Sequence, residues 1–554
     1  MATIAVDPAS DRDSSEVMVR QFRQILLFPL QLTPLAGSAQ TASNWERLMA
    51  LDSAWTDAAD DHGEATAVLR ERHYTEFVGF MPDVQRFLYG EGRRTSGSKG
   101  YGVSPIRAFR RHDVTQARVT LRPGDAPIRF DVPRIELFFF FDIDLAMLAI
   151  EVAASDLTLS QAQESLFRFG RAYPGAWDGD GRPVHCCESV VLLDAAGRVL
   201  ATSDYEQKER YIASVTGHRS TSVAAHWAWL LHPLAPQHEA EARTIPFRQF
   251  EQQRPPQLAY LAVDDPRGIS RNDWVRLGLA AAPGRAGSSP FGSRFLDDFE
   301  TRYCYDRFWD DTGGHDQTAT RMICSGHAFV MVGDAANPRF SDNGAGILAK
   351  FRHQYFLLAV IAHFHHAALL GFRDRLVSAM SLLRDYSAET VKRFRREIRL
   401  THENFLRFTH RYWFHEISNQ GPAQDLFDRW AAQLGTDRLF AEVREEVHDM
   451  IAYLDSDGLR RQANSVVRLT VVTFFGLIGS VATGFLGMNL IDLTRESLLA
   501  KVLYFVAVLV PVAALTFYTA AKSQRLSAFL EAVSDMRLPT REKVRALMRV
   551  WRQG

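Results

Sequence analysis

Two stretches near the C-terminal end interrupt the mixed polar and apolar pattern of this 554-residue chain. From Leu469 to Gly487 (LTVVTFFGLIGSVATGFLG) no residue is charged, and from Val502 to Ala521 (VLYFVAVLVPVAALTFYTAA) none is charged either. Nineteen residues, at about 1.5 Å each, reach roughly 28 Å as a helix, close to the ~30 Å hydrocarbon core of a bilayer. Both runs are therefore expected to cross a membrane as helices. The alternative is a pair of buried core helices, but soluble proteins rarely carry apolar runs of this length. Pro511 should kink the second helix, which membrane helices tolerate. No other segment competes on this pattern. Phe138 to Ile150 is apolar but short and carries Asp142 and Asp144, so it reads as a buried strand running into a turn or helix.

Upstream, the pattern is that of an α/β region. Gln24–Leu32, Ile135–Phe141, Ser189–Asp194 and His327–Gly333 have the short apolar, branched or aromatic character of buried strands. Asn44–Trp55 and Ser160–Gly170 read as helices, the latter with Asp156 or Ser160 as its N-cap. Asp194–Arg198 reads as a hairpin turn, and residues 90–104, 246–256 and 281–293 as loops. After Gly346 the pattern becomes nearly continuous helix. One helix is expected from Gly346 to Leu383, and a second from Ser387 to Ser418, stopped by Gly421-Pro422. A third begins near Ala423 and is interrupted at Gly435. Thr436 or Asp437 can cap a final helix that reaches Met488 if it runs through Gly458. Phe440, Val443, Val447, Met450 and Leu454 alternate in steps of three and four, a spacing suited to packing against identical neighbours.

The expected organisation is a cytosolic α/β domain over 1–345, cytosolic helices over 346–435 and a stalk helix over 436–468. The first membrane helix covers 469–489, a short outer loop 490–501, the second membrane helix 502–521 and a basic tail 522–554. Orientation follows from Arg460, Arg461 and Arg468 before the first run and Lys522 and Arg525 after the second, which place both termini in the cytoplasm. The first seventeen residues have no apolar signal core, so no leader is expected. Four cysteines, Cys186, Cys187, Cys304 and Cys324, fit a reducing compartment, with no pair of Cys-x-x-Cys units to suggest zinc. A net charge of −1 gives no global field for nucleic acid. The tail from Lys522 holds eight basic and three acidic residues, as expected near anionic headgroups. No nucleophile–base arrangement or phosphate loop is present, so the chain does not read as an enzyme.

At the end of the first run stands Gly487-Met488-Asn489. A Gly-Met-Asn tripeptide closing the first of two C-terminal membrane helices, after a long cytosolic stalk, resembles the CorA family of divalent-cation channels and transporters. Tyr453-Leu454 and Asn464-Ser-Val-Val-Arg-Leu-Thr-Val-Val resemble that family's stalk-to-membrane junction. The likeness covers about the last hundred residues. It implies a homopentameric funnel in a bacterial inner membrane whose first membrane helices line a pore for Mg²⁺, or for Co²⁺, Ni²⁺ or Zn²⁺. Cytosolic metal would gate it. Asn489 would form a ring of five carboxamides at the outer mouth. Mg²⁺ sheds water reluctantly, and such a ring can hydrogen-bond the bound waters without replacing them. The alternative for Gly487 and Asn489 is a plain helix C-cap.

Stepping back from Asn489 in threes and fours gives Gly484, Ser480, Leu477, Thr473, Thr470, Val466 and Ala463 on one face. Thr470, Thr473 and Ser480 could offer hydroxyls to a hydrated ion, or bond back to their own backbone. Leu477, with Val466 or Val467 and Leu469, would form apolar constrictions. Asn464 matches the family's inner polar ring by motif, one residue away from the helical step. The loop Leu490–Ser497, with Asp492, Arg495 and Glu496, departs from the family's aromatic-rich continuation. That departure leaves the preferred ion open and keeps alive two alternatives, the family's zinc-transporting branch and a non-conducting sensor or scaffold. Glu442, Glu445, Glu446, Asp449, Asp455 and Asp457 are candidates for a cation-attracting vestibule or a solvated helix face. His363 with His366, and His410 with His415-Glu416, are weaker metal candidates on helices better explained by packing. Asp310–Asp316 resembles a metal loop in composition only, and Gly333–Pro338 reads as a turn.

Overall fold

The computed structural model describes residues 17–33, 44–51, 53–58, 74–90, 105–140, 143–241, 243–250, 253–284, 290–310, 319–344, 346–382, 388–487 and 497–521, with parts of the last two helices described by backbone alone. The chain forms two compact units, Met1–Glu446 and Val447–Gly554.

The first unit is built on a mixed sheet of fourteen strands. Across its main path run Cys304–Tyr305, Arg321–Cys324, Ala328–Asp334, Gln257–Val263, Met18–Leu32, Leu145–Thr158, Ile128–Phe140, Gln116–Thr120, Ser189–Leu193 and Val199–Thr202. Most neighbours are antiparallel; Gln257–Val263 and Ala328–Asp334 pair in parallel. In the middle Ile25 faces Glu151, and Ile135 faces Ile150.

The central runs Ile25–Leu30 and Leu137–Phe140 are continuously apolar rather than alternating because both faces of the sheet are covered. One face packs Phe22, Phe28 and Phe130 against Phe169 and Trp227 beside the helices Leu159–Arg168 and Ala225–Leu231. The other face meets a helical segment, Ile347–Ser381. Phe364 stacks on Phe140 at 4.1 Å between centroids and Phe356 lies 6.1 Å from Phe138. The same segment is covered behind by Ala388–Arg411, through Phe372 with Phe405 and Phe364 with Phe408, and by Gly421–Leu434, through His365 with Phe427.

This arrangement corrects several expectations. Ile347–Ser381 is, among the described residues, long and apolar enough to cross a membrane, with a mean hydropathy of 1.6 in its best window, yet 83% of that window is buried inside the protein. Apolar length alone therefore does not single out the two C-terminal runs. Phe138–Ile150 keeps to the strand-into-turn reading: the end of one strand, a turn at Ile143–Asp144 and the start of the next, with residues 141–142 outside the described set. The helix expected over Ser160–Gly170 spans Leu159–Arg168. Thr158 caps it, its hydroxyl accepting from Gln161 N at 3.1 Å while Gln161 Oε1 accepts from Thr158 N. Asp156 is held in the left-handed region (φ 54°) outside that cap. Gly421-Pro422 opens a helix rather than closing one, because proline at the first turn has no amide to satisfy. The preceding helix already ends at Arg411.

Gly435 ends Gly421–Leu434 in the left-handed conformation (φ 63°), and a single helix then runs from Thr436 to Gly487, passing through Gly458. At its root Phe440 stacks on Trp413 at 4.5 Å and on Phe405 at 5.6 Å, and Val443 is fully buried. The start of the three–four seam is thus filled by side chains of the same chain, where the spacing suggested identical neighbours.

In the second unit the long helix ends at Gly487, and a second helix spans Leu498–Ala521 with Pro511 inside it. The two touch at Gly479, where a Cβ would lie 2.6 Å from Val512 Cγ1. Only glycine permits that approach.

Candidate functional site

Val466, Thr470, Thr473, Leu477, Ser480, Gly484 and Gly487 recur every three or four residues on the long helix. At 100° per residue they fall within an arc of about 100°. Each is exposed, Val466 to 56% and Leu477 to 61%. No atom lies within 4 Å of a Cβ built on Gly484 or Gly487, so this stripe faces open space. Gly479, the contact point for Val512, sits about 140° around the helix from Val466. The neighbouring helix therefore packs behind the stripe and leaves it uncovered.

The hydroxyls on the stripe have a common geometry. Thr470 Oγ1 donates to Val466 O at 2.9 Å, Thr473 Oγ1 to Leu469 O at 2.8 Å and Ser480 Oγ to Gly476 O at 3.1 Å. Each proton is committed to the preceding turn, so each oxygen presents only acceptor lone pairs outward. A hydrated cation presents the complementary face, since its inner-shell waters turn their protons outward.

Met488 and Asn489 lie outside the described residues, as does the loop through Glu496. Asn464 lies on the helix two residues before Val466, which puts its backbone position about 160° from the stripe. Of the acidic stalk residues, Glu442 accepts from Arg438 at 2.9 Å one turn away, while Glu445, Asp449 and Asp455 are exposed on the helix surface. Among the described residues no group of three or more His, Cys, Asp or Glu side chains could hold a metal ion. His363 and His365 are each 2% exposed, and burial first of all pulls both imidazoles down to about 3. His365 Nε2 meets the carbonyl of Tyr412 and its ring packs on Trp413. All of the Asp310–Asp316 loop after Asp310 falls outside the described set; Gly333 and Asp334 end a strand, and the turn at Ala335–Ala336 leads into the short helix Pro338–Ser341.

Two charged centres escaped the sequence. On the sheet face under Ile347–Ser381, Glu151 is wholly buried and held by three arginines. Arg23 Nη1 donates at 2.8 Å and Arg352 Nε at 2.6 Å, and Arg134 Nε lies 3.4 Å away. Arg134 also stacks over Phe356 at 4.0 Å, and Arg110 pairs with the adjacent Glu136. Burial pushes the Glu151 carboxyl up, but Arg134, Arg352 and Arg23 outweigh it and hold the group below the usual carboxylate range. Arg352 belongs to a π-helical turn, Phe351–Tyr355, the kind of irregularity that re-aims a side chain. The second centre, around Arg171 and Arg254, is described below. Arg134 and Glu151 are cross-strand partners on neighbouring strands, but Arg23 and Arg352 reach Glu151 from more than a hundred residues away, and Arg171 and Arg254 stand eighty-three residues apart, so neither cluster leaves a local signal.

No protein-family model, curated protein or solved structure matches this chain.

Proposed function

We propose that the chain is a CorA-like membrane channel or transporter for hydrated divalent cations, Mg²⁺ foremost, working as a homopentamer with both termini cytoplasmic in a bacterial inner membrane. The observation that carries this reading is Gly487-Met488-Asn489 at the end of an uncharged nineteen-residue run. Three features support it. The helix Leu498–Ala521 exposes nine large apolar side chains between Leu498 and Val510, a density that suits lipid contact better than water. The stripe from Val466 to Gly487 is uncovered while the second helix packs behind it, as a subunit lining a shared axis requires. Its hydroxyls face outward as acceptors, matched to the waters of an ion that keeps its shell.

In this reading Asn489 selects the hydrated ion at the outer mouth, Thr470, Thr473 and Ser480 accept from its waters, and Val466 and Leu477 form apolar constrictions. Flux runs down the electrochemical gradient, and cytosolic metal gates the pore. The altered loop with Asp492, Arg495 and Glu496 motivates two competing readings: a zinc-transporting relative, or a sensor or scaffold on the same fold that does not conduct. Flux of Mg²⁺ and Zn²⁺ into proteoliposomes, wild type against Asn489→Ala, separates them. Mg²⁺ influx lost in the variant supports the proposal, and Zn²⁺ influx alone moves the chain to the zinc branch. Folded oligomers that pass no divalent ion would sink the transport reading.

A further inference from the structure

A corner of the first unit concentrates positive charge with no paired acid among the described residues. Ala172 N donates to Gln253 O at 3.1 Å and Gln257 N to His327 O at 3.0 Å, so the segments carrying Arg171, Arg254 and His327 adjoin through their backbones. Arg171 is 5% exposed. Its Nε donates to Phe167 O at 3.2 Å and its guanidinium lies 5.0 Å from the Phe167 ring centre. Its two terminal nitrogens have no partner among the described residues. Arg254 gives one terminal nitrogen to the carbonyls of Leu279 and Ala280, at 3.2 and 2.8 Å, and its Nε and other terminal nitrogen are likewise without a partner among the described residues. His327 Nε2 is buried and unpaired. His185 packs on the same Phe167 ring at a steep angle, 5.2 Å between centroids.

No carboxylate pairs with Arg171 or Arg254 among the described residues, whereas Glu164 takes the neighbouring Arg122 and Arg168 and Glu151 takes three arginines. A guanidinium cannot shed its proton, and a buried charge without a partner is costly. The groups feel one another. Burial and then repulsion from Arg171 bring Arg254 down to about 10, and burial followed by both arginines brings His327 down to about 3. Donors carried on adjoining segments, with no acceptor and no counter-charge among the described residues, describe the protein half of an oxyanion site.

We propose that Arg171, Arg254 and His327 bind a small tetrahedral oxyanion, either inorganic phosphate or the terminal phosphoryl group of a nucleotide. The free nitrogens of the two guanidinia supply charge-assisted hydrogen bonds, and His327 donates from Nε2. This site is independent of the pore reading.

The test is isothermal titration of the full-length protein in detergent with inorganic phosphate and, separately, with ADP, at constant ionic strength set by chloride. Saturable binding of phosphate or ADP is expected, weakened at least tenfold in Arg254→Gln and in Arg171→Gln and unchanged in Arg20→Gln, an exposed arginine paired with Asp264 and Asp156. Comparable affinity for both ligands assigns the site to free phosphate, and clearly tighter ADP assigns it to a nucleotide. A thermal melt gives a second readout. Phosphate should raise the midpoint of the wild type and not of Arg254→Gln, each compared with its own midpoint without anion. If Arg171→Gln does not fold, Arg171→Lys keeps the charge and loses the forked donor geometry. Absence of saturable binding by either ligand up to about 10 mM, or affinity unchanged in both corner variants, overturns the proposal. So does a response that follows ionic strength whatever the anion.

Discussion

Removing the Glu151 carboxylate would leave Arg23, Arg134 and Arg352 facing one another in a covered part of the sheet, with Glu136, 3.9 Å from Arg134 and shared with Arg110, as the remaining carboxylate beside them. Glu151→Gln should therefore cost about 3–5 kcal/mol, read as a lowered denaturation midpoint, and a loss below about 1 kcal/mol would mean that water already neutralises the cluster. Acid should act at the same residue and at the buried imidazoles. The folded pKa of Glu151 is depressed, so its contribution is present above the unfolded value and fades as pH falls through the acidic range. His226, His327, His363 and His365 are held down to about 3, chiefly by burial. Unfolded histidine takes a proton near pH 6.5, so below that value the unfolded chain binds protons that the folded chain refuses. Stability should fall steadily from about pH 6.5 toward pH 3, by up to about 1.4 kcal/mol per pH unit for each such histidine. His363→Phe, which removes one of them from an apolar setting, should flatten the pH dependence of the melting midpoint, and an unchanged slope would refute the assignment.

Among the elements, the pair of helices in the second unit carries the sharpest expectations. Gly479→Val places a branched side chain where Val512 already sits, so the helices must separate, and detergent-solubilised protein should lose thermal stability while Gly484→Ala, in open space, should not. Thr473→Val removes an outward acceptor and keeps the helix, since the lost bond only ran back to Leu469 O. Cation flux should drop without a matching change in melting. The strands were legible where apolar runs were long, as in Gln24–Leu32 and Ile135–Phe141, and so was the turn at Asp194, whose carboxylate accepts from the amides of Ala196 and Arg198. Boundaries were less so, because cap residues compete. Asp156 and Ser160 are the candidates on paper, and the structure uses neither: Thr158 between them is the cap, fixed by its reciprocal bonds with Gln161. The stripe from Val466 to Gly484 follows from helical periodicity and was readable. The arginine clusters were not, since their members come from segments that periodicity cannot bring together.

For the whole molecule, the proposed pore requires several copies. Light scattering in detergent should give about five times 62.6 kDa, and a monomer or dimer would remove the five-fold axis on which the reading depends. The sheet adds a consequence for how the protein is made. Its central strand, Met18–Leu32, comes first in the chain, yet one of its edges waits for Leu145–Thr158 and the other for Gln257–Val263. At ordinary synthesis rates the second edge stays unpaired for roughly 10–50 s after the strand leaves the ribosome. A long, flat, apolar edge open for that time invites pairing with a neighbouring nascent chain. The first uncharged run, at Leu469, emerges later still. Production of this protein should therefore depend on cytosolic holding chaperones before it depends on the insertion machinery. Truncation before residue 257 should yield aggregates, where truncation after Leu434, which keeps Ile347–Ser381 and its covering helices on the sheet, yields soluble chain.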